Sequence, residues 1–140
     1  MREREEYGNM FHANGRFFES GKITEKLEEG EPKRMKKETI DRIRKFTTDR
    51  DWDQFHSPAN LAKSISIEAN ELLECFQWSD TDYDLEHVKE ELADVIVYCQ
   101  DLLDKLELDV DEIVNRKMTK NEAKYPVEKA KGNAAKYDQL

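Results

Sequence analysis

The chain has 140 residues, of which 39% are charged and 37% hydrophobic, and its formal net charge is −9. One domain fits that length, and so acidic a chain lacks the basic face that a binder of nucleic acid polymers needs. A nucleotide substrate stays open, provided metal ions stand between the acids and its phosphates.

No run of about 18 apolar residues occurs, so no membrane partner is expected. The first ten residues, MREREEYGNM, lack the apolar centre of a secretory signal, which leads us to expect a cytoplasmic protein. Residues 1–34 combine glycine with charge clusters (REREE, EKLEEGEPKR) and no sustained apolar period, and are expected to form a flexible arm. The pattern changes abruptly at Met35, and one reading is that translation naturally starts there, residues 1–34 being an over-extended gene start. Residues 35–140 are then the functional domain, ending in a polar tail.

Four helices are expected in that domain. The first covers about 36–50, with Ile40, Ile43 and Phe46 at helical spacing. RDWDQFHSP follows as an aromatic loop, and Ser57-Pro58 is a helix start: a hydroxyl cap, then proline where no N–H is needed. The second helix runs from Pro58 to about Gln77, with Leu61, Ile65, Leu72 and Phe76 on its apolar side. After the turn SDTDYD, the third helix, about 84–106, is the most apolar, and its wide stripe suits a bundle centre. Asp109 and Glu112 form a capping box for the fourth, which carries Val110, Ile113, Val114 and Met118 and stops before Pro126. The tail VEKAKGNAAKYDQL has a bend at Gly132. With no strand-like alternation in this region, the fold class is an all-α, four-helix bundle. Cys75 and Cys99 lie inside helical patterns without a CxxC or a His partner, and read as reduced, buried apolar residues.

Two pairs of acids stand out against this frame: Glu68 with Glu71 on the second helix, and Glu91 with Asp94 on the third. A spacing of three puts each pair on one helix face. In a chain with 32 acidic residues that spacing is common, and a solvated face is its ordinary meaning. These pairs differ by sitting within apolar stripes on adjacent helices. If the two helices pack antiparallel, the four carboxylates converge, and they cannot all stay ionised without counter-charge. A hard divalent cation, above all Mg²⁺, would meet that charge and bring phosphate with it.

The stretches IEANELLECFQW and EELADVIVY, together with RDWDQFHSPANLAKS and KMTKNEAKYPVEKAKGNAAKY, resemble the MazG-like all-α nucleoside triphosphate pyrophosphohydrolases, in particular their dCTP pyrophosphatase branch. The resemblance spans most of residues 36–137. It implies Mg²⁺-dependent hydrolysis of a nucleoside triphosphate to monophosphate and pyrophosphate, with Glu68, Glu71, Glu91 and Asp94 as metal ligands. Glu71 is the candidate to activate water. Trp52, His56, Trp78 and Tyr98 are implied as base- and sugar-facing residues, and Lys117 and Asn121 as phosphate contacts. Core or interface packing for Trp52 and Trp78, core filling for Tyr98, helix-entry bonding for His56 and a solvated face for Lys117 and Asn121 remain the alternatives. The resemblance further implies a homodimer or homotetramer, dCTP or a modified pyrimidine triphosphate as substrate, and a role in cleansing the nucleotide pool. Ser66, Ile67 and Asn70 depart from the small residues more usual beside the first acid pair, which leaves base preference open. Rival readings are a dUTP- or phosphoribosyl-ATP-directed hydrolase and a non-catalytic helical interaction module.

Overall fold

A computed structural model describes residues 35–139; the expectations for residues 1–34 fall outside them. These residues divide into two compact units, 35–112 and 113–139. The first contains α1 (Lys37–Asp49), α2 (Pro58–Glu74) and α3 (Leu85–Lys105), with a 3₁₀ turn at Trp52–Phe55 inside the expected aromatic loop. A fourth helix, α4 (Val110–Lys124), begins at the end of that unit and runs into the second, where one-turn α5 (Val127–Ala130) and a 3₁₀ turn at Tyr137–Gln139 follow. The fold is all-α: among the described residues there is no strand, and no helix is long and apolar enough to cross a membrane.

Helix ends follow local chemistry. Ser57 Oγ accepts the Asn60 N–H at 3.1 Å, and Pro58 occupies the first turn of α2. Asp84 Oδ1 accepts the N–H groups of Glu86 and His87 to open α3, and Asp109 Oδ1 accepts the Glu112 N–H at 2.9 Å to open α4. The close of α3 has no glycine to announce it. Leu108 N–H bonds to the Leu103 carbonyl at 2.9 Å and Glu107 N–H to that of Asp104 at 3.2 Å, a Schellman pair with Glu107 at φ 53°, a position where glycine costs least. α2 ends three residues before the expected Gln77, because Phe76 and Gln77 donate to carbonyls three residues back and tighten the last turn.

Within the first unit α3 packs chiefly on α2 and also on α1, which in turn meets the 3₁₀ turn. A two-pronged contact from the Arg44 guanidinium to Asp104, at 2.8 and 2.7 Å, ties α1 to α3, and the buried Gln100 amide donates to the same carboxylate. Leu61, 1% exposed, is the single fully buried apolar side chain among the described residues. The α3 stripe expected at a bundle centre is therefore not enclosed: Leu85, Leu92 and Ile96 are exposed, as are Ile67 and Leu73 on α2. The same openness corrects the reading of the cysteines. Both thiols are free, but Cys99 is exposed and Cys75 only half-buried, since the helices packed on α3 leave its other faces in water.

In the second unit Tyr125 and Tyr137 meet edge to face at 6.1 Å, with the Lys124 ammonium 4.9 Å above the Tyr137 ring. The bend expected at Gly132 is there, at φ 73°.

Candidate active site

The two acid pairs reach one another because α2 and α3 pack face to face across the turn at 75–84. Glu68 from α2 and Glu91 and Asp94 from α3 place carboxylate oxygens within 4.8 Å of one another. Glu71 stands outside that set and is exposed, although its charge still acts on Glu68. Burial pushes the Glu68 carboxyl above its ordinary range, and repulsion from Glu71, Asp94 and Glu91 pushes it the same way.

Glu91 is the most enclosed of the three. Its side chain is 13% exposed, and its Oε2 is shut off from solvent with no hydrogen-bond partner among the described residues. A buried polar atom without a partner is costly, and a carboxylate oxygen more so. All the potential ligands are hard oxygens on rigid helices, the donor set of Mg²⁺. An orphaned oxygen amid like charges is what a cation would relieve, so the residues fit one.

Tyr98, one turn beyond Asp94, borders the cluster. Burial raises its phenol above the usual range, the negative charges of Glu68, Asp94 and Asp101 add to that, and a hydrogen bond with Ser64 works against it. The phenol is therefore neutral at pH 7, a donor and acceptor rather than a charge. His56 meets Tyr98 edge-on at 6.5 Å, which brings the loop before α2 to the flank of the acids. His56 also lies near Asp101, whose carboxyl burial raises while the imidazole partly offsets the rise.

The other expected site residues belong to other elements. Trp52 is engaged by the edge of Phe46 at 5.7 Å, and Arg50, stacked 3.6 Å above the Phe46 ring, lies 6.0 Å from the indole. Trp78, in the turn after α2, is 89% exposed, which removes core packing as its explanation. Lys117 and Asn121 belong to the 113–139 unit, where Lys117 is exposed and Asn121 half-buried. A cleft of about 290 Å³ lies elsewhere, lined by Arg44, Asp53, Asp101, Asp104 and Lys105 among others. Its cations are already paired, Arg44 with Asp104 and Lys105 with Asp53, so it offers little to an anion.

Two neighbours of the site escaped sequence reasoning. His87, one helical turn before Glu91, lies 3.0 Å from its Oε1. Ser64, one turn before Glu68, reaches Tyr98. The spacing of four was the only signal in either case, and helices are full of it.

The MazG-like family model matches residues 63–140, which contain most of α2, all of α3 and all four acids. The chain is similar to dCTP pyrophosphatase 1 of Mus musculus, 37% identical over 115 residues that cover 73% of this chain and 68% of the mouse protein. The Homo sapiens protein of the same name is 33% identical over the same shares. Among solved structures, a pyrophosphatase from Archaeoglobus fulgidus is 47% identical and covers 64% of this chain and 90% of its own, with a TM-score of 0.57. A family match over more than half of the chain, relatives of this identity, and the acids brought together by α2 and α3 agree: the chain belongs to the MazG-like family of nucleoside triphosphate pyrophosphohydrolases.

Proposed function

We propose that the chain hydrolyses dCTP or a modified pyrimidine nucleoside triphosphate to the monophosphate and pyrophosphate, with Mg²⁺ as cofactor, as a cytoplasmic cleanser of the nucleotide pool. The observations that carry the metal-dependent chemistry are the carboxylate oxygens of Glu68, Glu91 and Asp94 within 4.8 Å of one another, and Glu91 Oε2 buried without a partner among the described residues. The similarity to dCTP pyrophosphatases carries the choice of base.

Glu68, Glu91 and Asp94 hold the cation, with Glu71 at the edge of the set. A divalent cation held by these residues would supply counter-charge for the triphosphate, polarise the attacked phosphoryl group and ease deprotonation of the attacking water. Glu71, less committed and open to solvent, would orient the attacking water and accept its proton. Trp78 and Trp52 offer flat faces to the base, while His56 and the neutral Tyr98 hydrogen-bond base or sugar. Lys117 and Asn121 meet the phosphates. The working enzyme is a homodimer or homotetramer, which accounts for the one fully buried apolar residue among the described residues and the exposed leucine and isoleucine along α2 and α3.

The test is pyrophosphate release from a panel of canonical and modified triphosphates, dUTP and phosphoribosyl-ATP included, with Mg²⁺ and with chelator. Mg²⁺-dependent release of pyrophosphate, fastest with a cytosine nucleotide, is expected. Release of orthophosphate instead, or release untouched by chelator, would overturn the proposal.

A further inference from the structure

We infer that His87 is a positioning residue for Glu91, holding one carboxylate oxygen so that the other is presented to the divalent cation; this rests on the metal-site reading above. His87 and Glu91 lie one turn apart on α3, with Nε2 3.0 Å from Oε1, a hydrogen-bonding distance. Glu91 is largely enclosed while the imidazole is half exposed, so His87 meets the carboxylate from the solvent side. The opposite oxygen, Oε2, is buried and has no partner among the described residues. The carboxylate is thus asymmetric, one oxygen engaged and one in reserve.

A glutamate has three side-chain torsions, and ordering it costs rotamer freedom each time a cation binds. A neighbour that fixes one oxygen in advance lowers that cost and stops the two oxygens from exchanging roles. Outer partners of this kind orient ligands in many metal sites, and their removal weakens metal binding about 10- to 100-fold. The contact requires only an N–H at Nε2, which the neutral imidazole carries in one tautomer.

The experiment measures Mn²⁺ binding to the full chain by electron paramagnetic resonance, comparing the unaltered protein with His87→Ala, His87→Gln and Glu68→Gln. His87→Ala is expected to weaken Mn²⁺ binding by about tenfold. His87→Gln, whose amide can donate to the same oxygen, is expected to stay within about threefold of the unaltered protein. In assays the alanine variant's defect should appear as a raised Mg²⁺ requirement, with turnover recovering as Mg²⁺ is increased. Alanine favours helix, so metal-free melting and far-ultraviolet dichroism should be unchanged. Wild-type Mn²⁺ affinity in His87→Ala, or equal loss in the alanine and glutamine variants, would overturn the role of His87 alone. Equal Mn²⁺ binding by Glu68→Gln and the unaltered chain would instead bring down the metal site, and the role of His87 with it.

Discussion

Replacing Glu68 with glutamine should stabilise the metal-free protein and abolish its response to Mg²⁺. The oxygens of Glu68, Glu91 and Asp94 lie within 4.8 Å of one another. At that separation two unit charges repel by about 3.5 kcal/mol at an effective dielectric of about 20, and by about 0.9 kcal/mol in bulk water. The cluster is partly solvated, so relief of about 1–3 kcal/mol is expected on neutralising Glu68. The sign follows from its raised pKa, caused first by burial and then by repulsion from Glu71, Asp94 and Glu91. A carboxyl raised in the folded state binds more protons there than when unfolded, so it favours folding below the unfolded pKa and loses that contribution as pH climbs through the folded one. At neutral pH the ionised glutamate therefore works against folding, and glutamine does not.

Thermal melts in chelator at pH 7.5, at fixed protein concentration, should place Glu68→Gln above the unaltered chain by about 2–12 °C, taking about 2–4 °C per kcal/mol for a chain of about 150 residues. Below the unfolded pKa of glutamate, about 4.3, the gap should close as the native carboxyl protonates. Mg²⁺ at a thousand times the dissociation constant should reverse the order, since binding only to the folded state then adds about 4.1 kcal/mol. A metal-free variant less stable than the unaltered chain, or a gap that survives at low pH, would refute a repulsive cluster at Glu68.

Asp104→Asn should cost about 1 kcal/mol at neutral pH, because the fork from Arg44 keeps the Asp104 carboxyl below its usual range. That contribution is present above the unfolded pKa and fades as pH falls through the folded one, so urea melts of the two proteins should converge in acid. Trp78→Ala should leave stability within about 0.5 kcal/mol, since the indole is 89% exposed, yet raise the nucleotide KM by about fivefold or more if a base stacks on it. Melting and initial-rate kinetics on the same preparation read both effects.

Element identity was legible in the sequence where a local rule suffices. Ser57-Pro58 announced α2, Asp109 and Glu112 announced α4, and apolar spacing outlined α3, because caps and periodicity act within a turn or two of the chain. The end of α3 was less plain, since Glu107 takes a left-handed conformation usually left to glycine.

The four acids could be chosen from sequence, by pattern and by family resemblance, but their convergence could be stated only as a condition on how the helices pack. Only the packing of α2 on α3 brought Glu68 to Glu91 and Asp94 while leaving Glu71 outside that set, because a spacing of three fixes a shared face and says nothing of which rotamer reaches across. His87 beside Glu91 Oε1, the unpartnered Oε2, and Tyr98 between His56 and the acids likewise belong to tertiary structure. Helical type is set by interactions a few residues apart, which the chain carries in its order. Charge placement at the site depends on distances between residues far apart in sequence, and those exist only once the helices have packed.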